Sequence, residues 1–282
     1  MEEKKQLIIN ADDFGISESV NESVFDSYTN GILTSTSIMS NGPAFAHAIK
    51  LLEKMQNLSV GIHLNVIEFT TLNKKISPKS LLYDQTGKYN NGFISLLCKS
   101  FNKNFLEEIE ADFRLQIEKT LSQTKVDHID SHVHVHAIPN IFKIVCKLAQ
   151  EYGIDNIRTQ YEHPYLANDI KKYFSIKYPI NWIKLILLNS FTVINKKYLS
   201  KTDLKTNNNF IGVNYTGYMD INTLEPALKK VQNRTEAALH PSTDKNKHFL
   251  YQEYLTLTNQ DIKQKIKNSD ITLINFLEEE KL

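Results

Sequence analysis

A chain of 282 residues that is 41% hydrophobic and 23% charged carries enough apolar material for a sizeable core, and its mixed composition excludes disorder. A formal net charge of +1 excludes the strong basic footprint of a nucleic-acid binder. Cys98 and Cys146 stand in no ligand-like spacing and read as free thiols of a cytoplasmic protein, and the charged start Met1-Glu2-Glu3-Lys4-Lys5 shows no export signal.

The first element is an apolar strand over residues 6–10, which runs into Asn10-Ala11-Asp12-Asp13-Phe14-Gly15. A helix follows, opened by Ser17 or Ser19 with Glu18 and Glu22 in its first turn and closed by Asn30-Gly31. A strand over 33–39, a helix over 43–55 and a strand over 58–66 come next, the last holding His63 in Gly61-Ile62-His63-Leu64-Asn65. Residues 67–105 show no clear period and read as a long irregular loop. The pattern then gives a helix over 106–121, a strand over 126–132, a helix over 139–152 and a strand over 156–160. A second irregular segment spans 163–208. Its apolar stretch 182–188 is far too short to cross a bilayer and reads as a buried helix, with a lipid-facing groove the lesser alternative. The tail holds strands over 210–215, 234–240 and 271–276 and helices over 224–232 and 259–267. This alternation predicts an α/β fold, an irregular TIM-like (β/α) barrel with parallel strands and elaborated loops, as a single domain over residues 1–282.

The densest chemical signal is His128-Ile129-Asp130-Ser131-His132-Val133-His134-Val135-His136. In a continued strand, His128, Asp130, His132, His134 and His136 would share one face. Strand positions two apart are about 6.6 Å apart and positions four apart about 13 Å, so at most two adjacent members reach one ion. A metal site is the main reading, and a hydrogen-bonded polar strand face in a barrel mouth is the alternative. Asp12 and Asp13, His63, and His240 in Glu236-Ala237-Ala238-Leu239-His240-Pro241 each end a β-run, where βα barrels place their active sites. Taken singly, the acid pair serves equally well as an N-cap cluster, whereas His63 reads first as a satisfied core histidine.

These motifs, taken in order with Asn30-Gly31-Ile32-Leu33-Thr34-Ser35-Thr36-Ser37, Asn41-Gly42-Pro43, Pro139, and Ile157-Arg158 with Glu162, resemble the YdjC-like family of carbohydrate deacetylases. The resemblance implies a metal-dependent hydrolase on an irregular barrel that removes the acetyl group of an N-acetylated sugar. It implies Asp13, His63 and His132 as metal ligands, Asp12 as the base, and Arg158, Glu162 and His240 as polar pocket residues. In that scheme His240 protonates the departing amine, while Asp130, His134 and His136 orient ligands or bind sugar hydroxyls. The donor set suits one divalent ion, Mg or Zn. The partner expected is a small carbohydrate with an acetamido group, with no nucleic acid and no membrane span; a homodimer is the open assembly. Tyr83, Tyr89, Tyr161, Tyr165 and Trp182 are candidates for stacking on sugar rings.

Two departures from the family pattern bear on the substrate. Ser242 stands where a glycine often follows the His-Pro pair, and Arg158-Thr159-Gln160-Tyr161-Glu162 lacks the second arginine of Arg-Leu-Pro-Arg-Glu. Two competing readings are a metal-dependent phosphoesterase and a non-catalytic sugar- or metal-binding protein on the same fold. The first calls for a denser Asp/Asn/His set or a phosphate-cradling glycine loop.

Overall fold

The computed structural model describes residues 4–173 and 177–277, so residues 1–3 of the expected charged start and 174–176 of the second irregular segment lie outside the described residues. In chain order the elements are β1 (Lys5–Phe14), α1 (Glu18–Asn30), β2 (Ser35–Ile38), α2 (Phe45–Leu52), β3 (Ser59–Leu64), α3 (Phe93–Lys99), α4 (Lys103–Leu121), β4 (His128–Ser131), α5 (Pro139–Tyr152), β5 (Asn156–Ile157), α6 (Lys177–Leu199), β6 (Asn209–Ile211), α7 (Ile221–Ala227), β7 (Thr235–Leu239), α8 (His248–Leu257), α9 (Gln260–Lys267) and β8 (Ile271–Leu273).

All strand pairs are parallel, in the order β5-β4-β3-β2-β1-β7-β6, with β8 paired to the start of β1. Loop residues bridge the two ends of this path: Ile157 N donates to Lys205 O at 3.0 Å and Phe210 N to Tyr161 O at 2.7 Å. The result is a curled parallel sheet with surrounding helices, the irregular α/β barrel that the alternating pattern predicts.

Strand alternation decides what the barrel encloses. In β1, Leu7, Ile9 and Ala11 pack in the helix-covered core, whereas Ile8 meets Ile274 and Phe276 in a separate apolar floor. Asn10 and Asp12 share the Ile8 side by the two-residue period. Gly61 of β3 is needed because His128 lies across from it: a Cβ there would sit 2.2 Å from His128 Nε2. Helix ends follow the sequence signals closely. Ser17 caps α1 by accepting from Val20 N, and Gly153, at φ 67, closes α5 in the left-handed region that glycine favours. Helix α5 buries Ile141, Phe142, Val145 and Leu148 against the sheet, each contributing about 1.5–3 kcal/mol by leaving water.

Three expectations need correction. The run 128–136 is not one strand: β4 ends at Ser131, and residues His132–Ala137 form a tight 3-10 turn in which Val133 (φ 54) and His134 (φ 57) are left-handed. Ser131 stabilises that turn, its Oγ accepting from His136 N at 2.9 Å, and the reversal sends the alternating side chains in different directions. The segment 67–105 contains α3, and 163–208 contains the 23-residue α6, whose asparagines and lysines masked its helical period. The stretch 182–188 is only half buried, with Leu185 and Leu188 inside and Ile183 and Ile186 exposed.

Candidate metal centre and active site

At the C-terminal end of β1 the pairing register to β2 shifts between Ala11 and Phe14, and Asp13 adopts φ 66. This bulge lets two adjacent acids serve different neighbours. Asp12 turns to Arg158, which bonds both of its oxygens at 2.7 and 2.8 Å. Asp13 Oδ1 instead lies 2.8 Å from His132 Nδ1 and 3.2 Å from His63 Nε2.

His63 is directly opposite Asp130 in the β3–β4 register, and its Nδ1 lies 2.7 Å from Asp130 Oδ1. Its buried Nε2 makes no well-aligned hydrogen bond and lies 3.2 Å from Asp13 Oδ1. Ligand atoms of Asp13, His63 and His132 all lie within 4.8 Å of one another. A second set, Asp12, His63 and Asp130, also converges. There Arg158 already supplies positive charge, 2.6 Å from Asp130 and 2.7 Å from Glu236 as well as on Asp12. The first set is also the one open to solvent, since Asp13 and His132 each keep 13% exposure.

The electrostatics favour a cation. Burial alone would push both imidazoles toward neutrality, yet Asp130 and Asp13 raise His63 to about 10 and Asp13 with Glu68 raises His132 to about 9. Burial likewise opposes ionisation of Asp12, Asp13 and Asp130, but Arg158 holds Asp12 and Asp130 low and His132 holds Asp13 low. Two imidazoles and one carboxylate, one ligand atom from each, therefore fit a divalent ion.

His240, just past β7, reaches the same rim: its Nε2 lies 3.8 Å from Asp12 Oδ2 and its Nδ1 3.6 Å from Glu253 Oε2. Buried Glu253 of α8 also accepts from His240 N at 2.5 Å and from Met219 N at 3.3 Å. Burial would lower the His240 pKa, but Glu253 and then Asp12 raise it to about 9.

Other expected residues fall elsewhere. His134 packs edge-on to Phe210 with centroids 5.8 Å apart, its Nδ1 buried without a hydrogen-bond partner. His136 turns back into the protein, where its ring meets Ser131 Oγ at 2.5 Å, the Arg158 carbonyl at 3.1 Å and Gln160 Nε2 at 2.8 Å. His128 stacks on Phe276 below the site, with centroids 4.0 Å apart. Glu162 is spent on the backbone, accepting from the amides of Gly212, Val213 and Asn214. Tyr83, Tyr89 and Tyr165 are buried packing residues, while Tyr161 and Trp182 stay partly exposed.

Two residues at the site were missed. Glu68 places Oε1 3.5 Å from His132 Nε2, and the side chain of Asn65 clamps its backbone, accepting from Glu68 N at 3.1 Å and donating to Glu68 O at 2.7 Å. The visible signal was an acid five positions after His63. Glu253 lies in α8, a helix the sequence reading left unassigned, and had no comparable signal.

A parallel α/β barrel whose rim gathers two imidazoles and a carboxylate defines a class, a candidate metal centre in the enzyme position of the fold. The chain belongs to the YdjC-like protein family, whose model matches residues 6–268. Among curated relatives, a carbohydrate deacetylase of Clostridium beijerinckii is 32% identical over 96% of this chain and 98% of its own. A chitooligosaccharide deacetylase of Salmonella paratyphi B is 33% identical over 54% of this chain and 58% of its own. A crystal structure from Enterococcus faecalis V583 superposes with a TM-score of 0.70 at 23% identity, covering 97% of this chain and 98% of that one, and supports the fold alone.

Proposed function

We propose that the protein is a metal-dependent carbohydrate deacetylase that hydrolyses the N-acetyl group of an acetamido sugar. The observation that carries this reading is the convergence of Asp13, His63 and His132, with His63 fixed by Asp130 through Nδ1 so that its Nε2 faces Asp13 beside His132. Asp13, His63 and His132 would hold one divalent ion, magnesium or zinc. When bound, such an ion polarises the acetyl carbonyl and makes a water more acidic.

The remaining work falls to the protein. Asp12, kept ionised and oriented by Arg158, accepts the proton of the attacking water. His240, kept protonated by Glu253, donates a proton to the departing amine. Asp130 fixes the ring of His63, and Glu68 faces the far nitrogen of His132. Partly exposed Tyr161 is the aromatic candidate for sugar contact. The two free cysteines support a cytoplasmic setting.

Incubation with short N-acetylated chitooligosaccharides tests the reading by counting acetate and free amine. Equal amounts of both are expected; binding without release would make the protein a sugar-binding module and overturn the proposal.

A further inference from the structure

Helix α6 carries apolar residues on both its inward and its outward face. Its inward face carries Asn181, Thr192 and Asn195, all nearly inaccessible, alongside Leu185, Leu188 and Phe191. Its outward face carries Ile180, Ile183, Ile186, Val193 and Ile194, each between 46% and 66% exposed. The inward polar groups have partners at the site rim: Asn189 pairs with the Glu162 backbone at 2.9 and 3.0 Å, Thr192 Oγ1 accepts from Gln160 N at 3.3 Å, and Asn195 donates to Ala137 O at 2.8 Å. The helix is therefore locked to the barrel in this orientation, and its aliphatic stripe faces water. A helix that is apolar on both faces is ordinarily covered on both.

The charge around the stripe indicates what covers it. Residues 170–205 hold eight lysines against a single acidic residue, Asp203, in a chain whose net charge is only +1. On α6 itself Lys184, Lys196 and Lys197 are exposed, and the helix contains no acid at all. Trp182 and Tyr198, both partly exposed, lie toward its two ends, an arrangement that suits a polar–apolar boundary. A second copy of the chain would bring lysine-rich helices together. The stripe alone, about 34 Å by 10 Å, is also well short of the roughly 800 Å² per partner that stable association needs. Among the described residues no helix is long and apolar enough to cross a membrane.

We propose that α6 docks on the surface of an anionic lipid bilayer, with Ile180, Ile183, Ile186, Val193 and Ile194 entering the headgroup boundary and the flanking lysines meeting lipid phosphates. The proposal stands independently of the deacetylase reading. Sedimentation of the full-length protein with vesicles of equal parts phosphatidylcholine and phosphatidylglycerol tests it. Binding is expected, weakened by added salt and by omission of phosphatidylglycerol. Ile183→Asp/Ile186→Asp should cut it at least about tenfold, with melting temperature and metal uptake unchanged. Lys196→Gln/Lys197→Gln, which leaves the apolar stripe intact, should weaken binding and flatten its salt dependence. Wild-type protein that stays in the supernatant, or variants that all sediment like it, would overturn the proposal. So would a wild-type dimer in sedimentation velocity that Ile183→Asp/Ile186→Asp splits, because a second copy would then be the cover.

Discussion

His63 and Asp130 face each other across the β3–β4 pair with Nδ1 and Oδ1 2.7 Å apart, and the strand register itself sets them opposite. Ser37 Oγ fixes the other Asp130 oxygen at 2.5 Å, so this carboxylate is positioned by a third strand. Asp130→Asn should keep the shape while removing the charge that orients His63. Divalent-ion affinity, read by calorimetry, should fall about 10- to 100-fold; unchanged affinity would mean that Asp130 is only part of the barrel packing.

Glu68 stands to His132 as Asp130 stands to His63, but at 3.5 Å and half exposed. Glu68→Gln should therefore weaken ion binding less than Asp130→Asn does, because water screens an exposed charge. An effect equal to or larger than that of Asp130→Asn would place Glu68 among the ligands themselves.

Arg158 is the cation that Asp12, Asp130 and Glu236 share in the barrel interior. Arg158→Met strands those acids without a partner, and should destabilise the protein by about 3–5 kcal/mol in urea unfolding. Arg158→Lys should recover little of this, since a lysine cannot reproduce the two-pronged contact with Asp12. Full stability in either variant would refute this role.

The pH dependence follows from His240. As the acid it must be protonated, and Glu253 raises its pKa from the usual 6.5 to about 9, so activity should persist through neutrality and fall as pH rises through about 9. Glu253→Gln keeps an acceptor for the His240 and Met219 amides but removes the charge, so the alkaline limb should move down by about 1 unit or more. An alkaline limb that stays in place while turnover falls would assign Glu253 a purely structural part.

The strand ends were legible because each carries a chemical residue after an apolar run: Asp12 and Asp13 near the end of β1, His63 in β3, His240 after β7. Local signals also placed α1, through Ser17 and Gly31, and the expected helix over 139–152 coincides with α5. The histidine run misled because its alternation suits a strand, while the turn after β4 is held by the His136 amide donating to Ser131 Oγ, which periodicity does not record. Glu162 looked like a pocket acid, but its amide partners lie in a segment some fifty residues later. Only residues 182–188 of α6 were legible as helix, because buried Asn181, Thr192 and Asn195 stand among its inward apolar residues while Ile183 and Ile186 face out, which blurs the usual amphipathic pattern.

The most direct measurement is metal content and acetate release from the same sample, for wild-type protein before and after chelation and for His63→Ala. One equivalent of divalent ion should accompany deacetylation, chelation should abolish both, ion replacement should restore both, and His63→Ala should hold no ion and release no acetate. Undiminished acetate release from chelated protein or from His63→Ala would contradict the account.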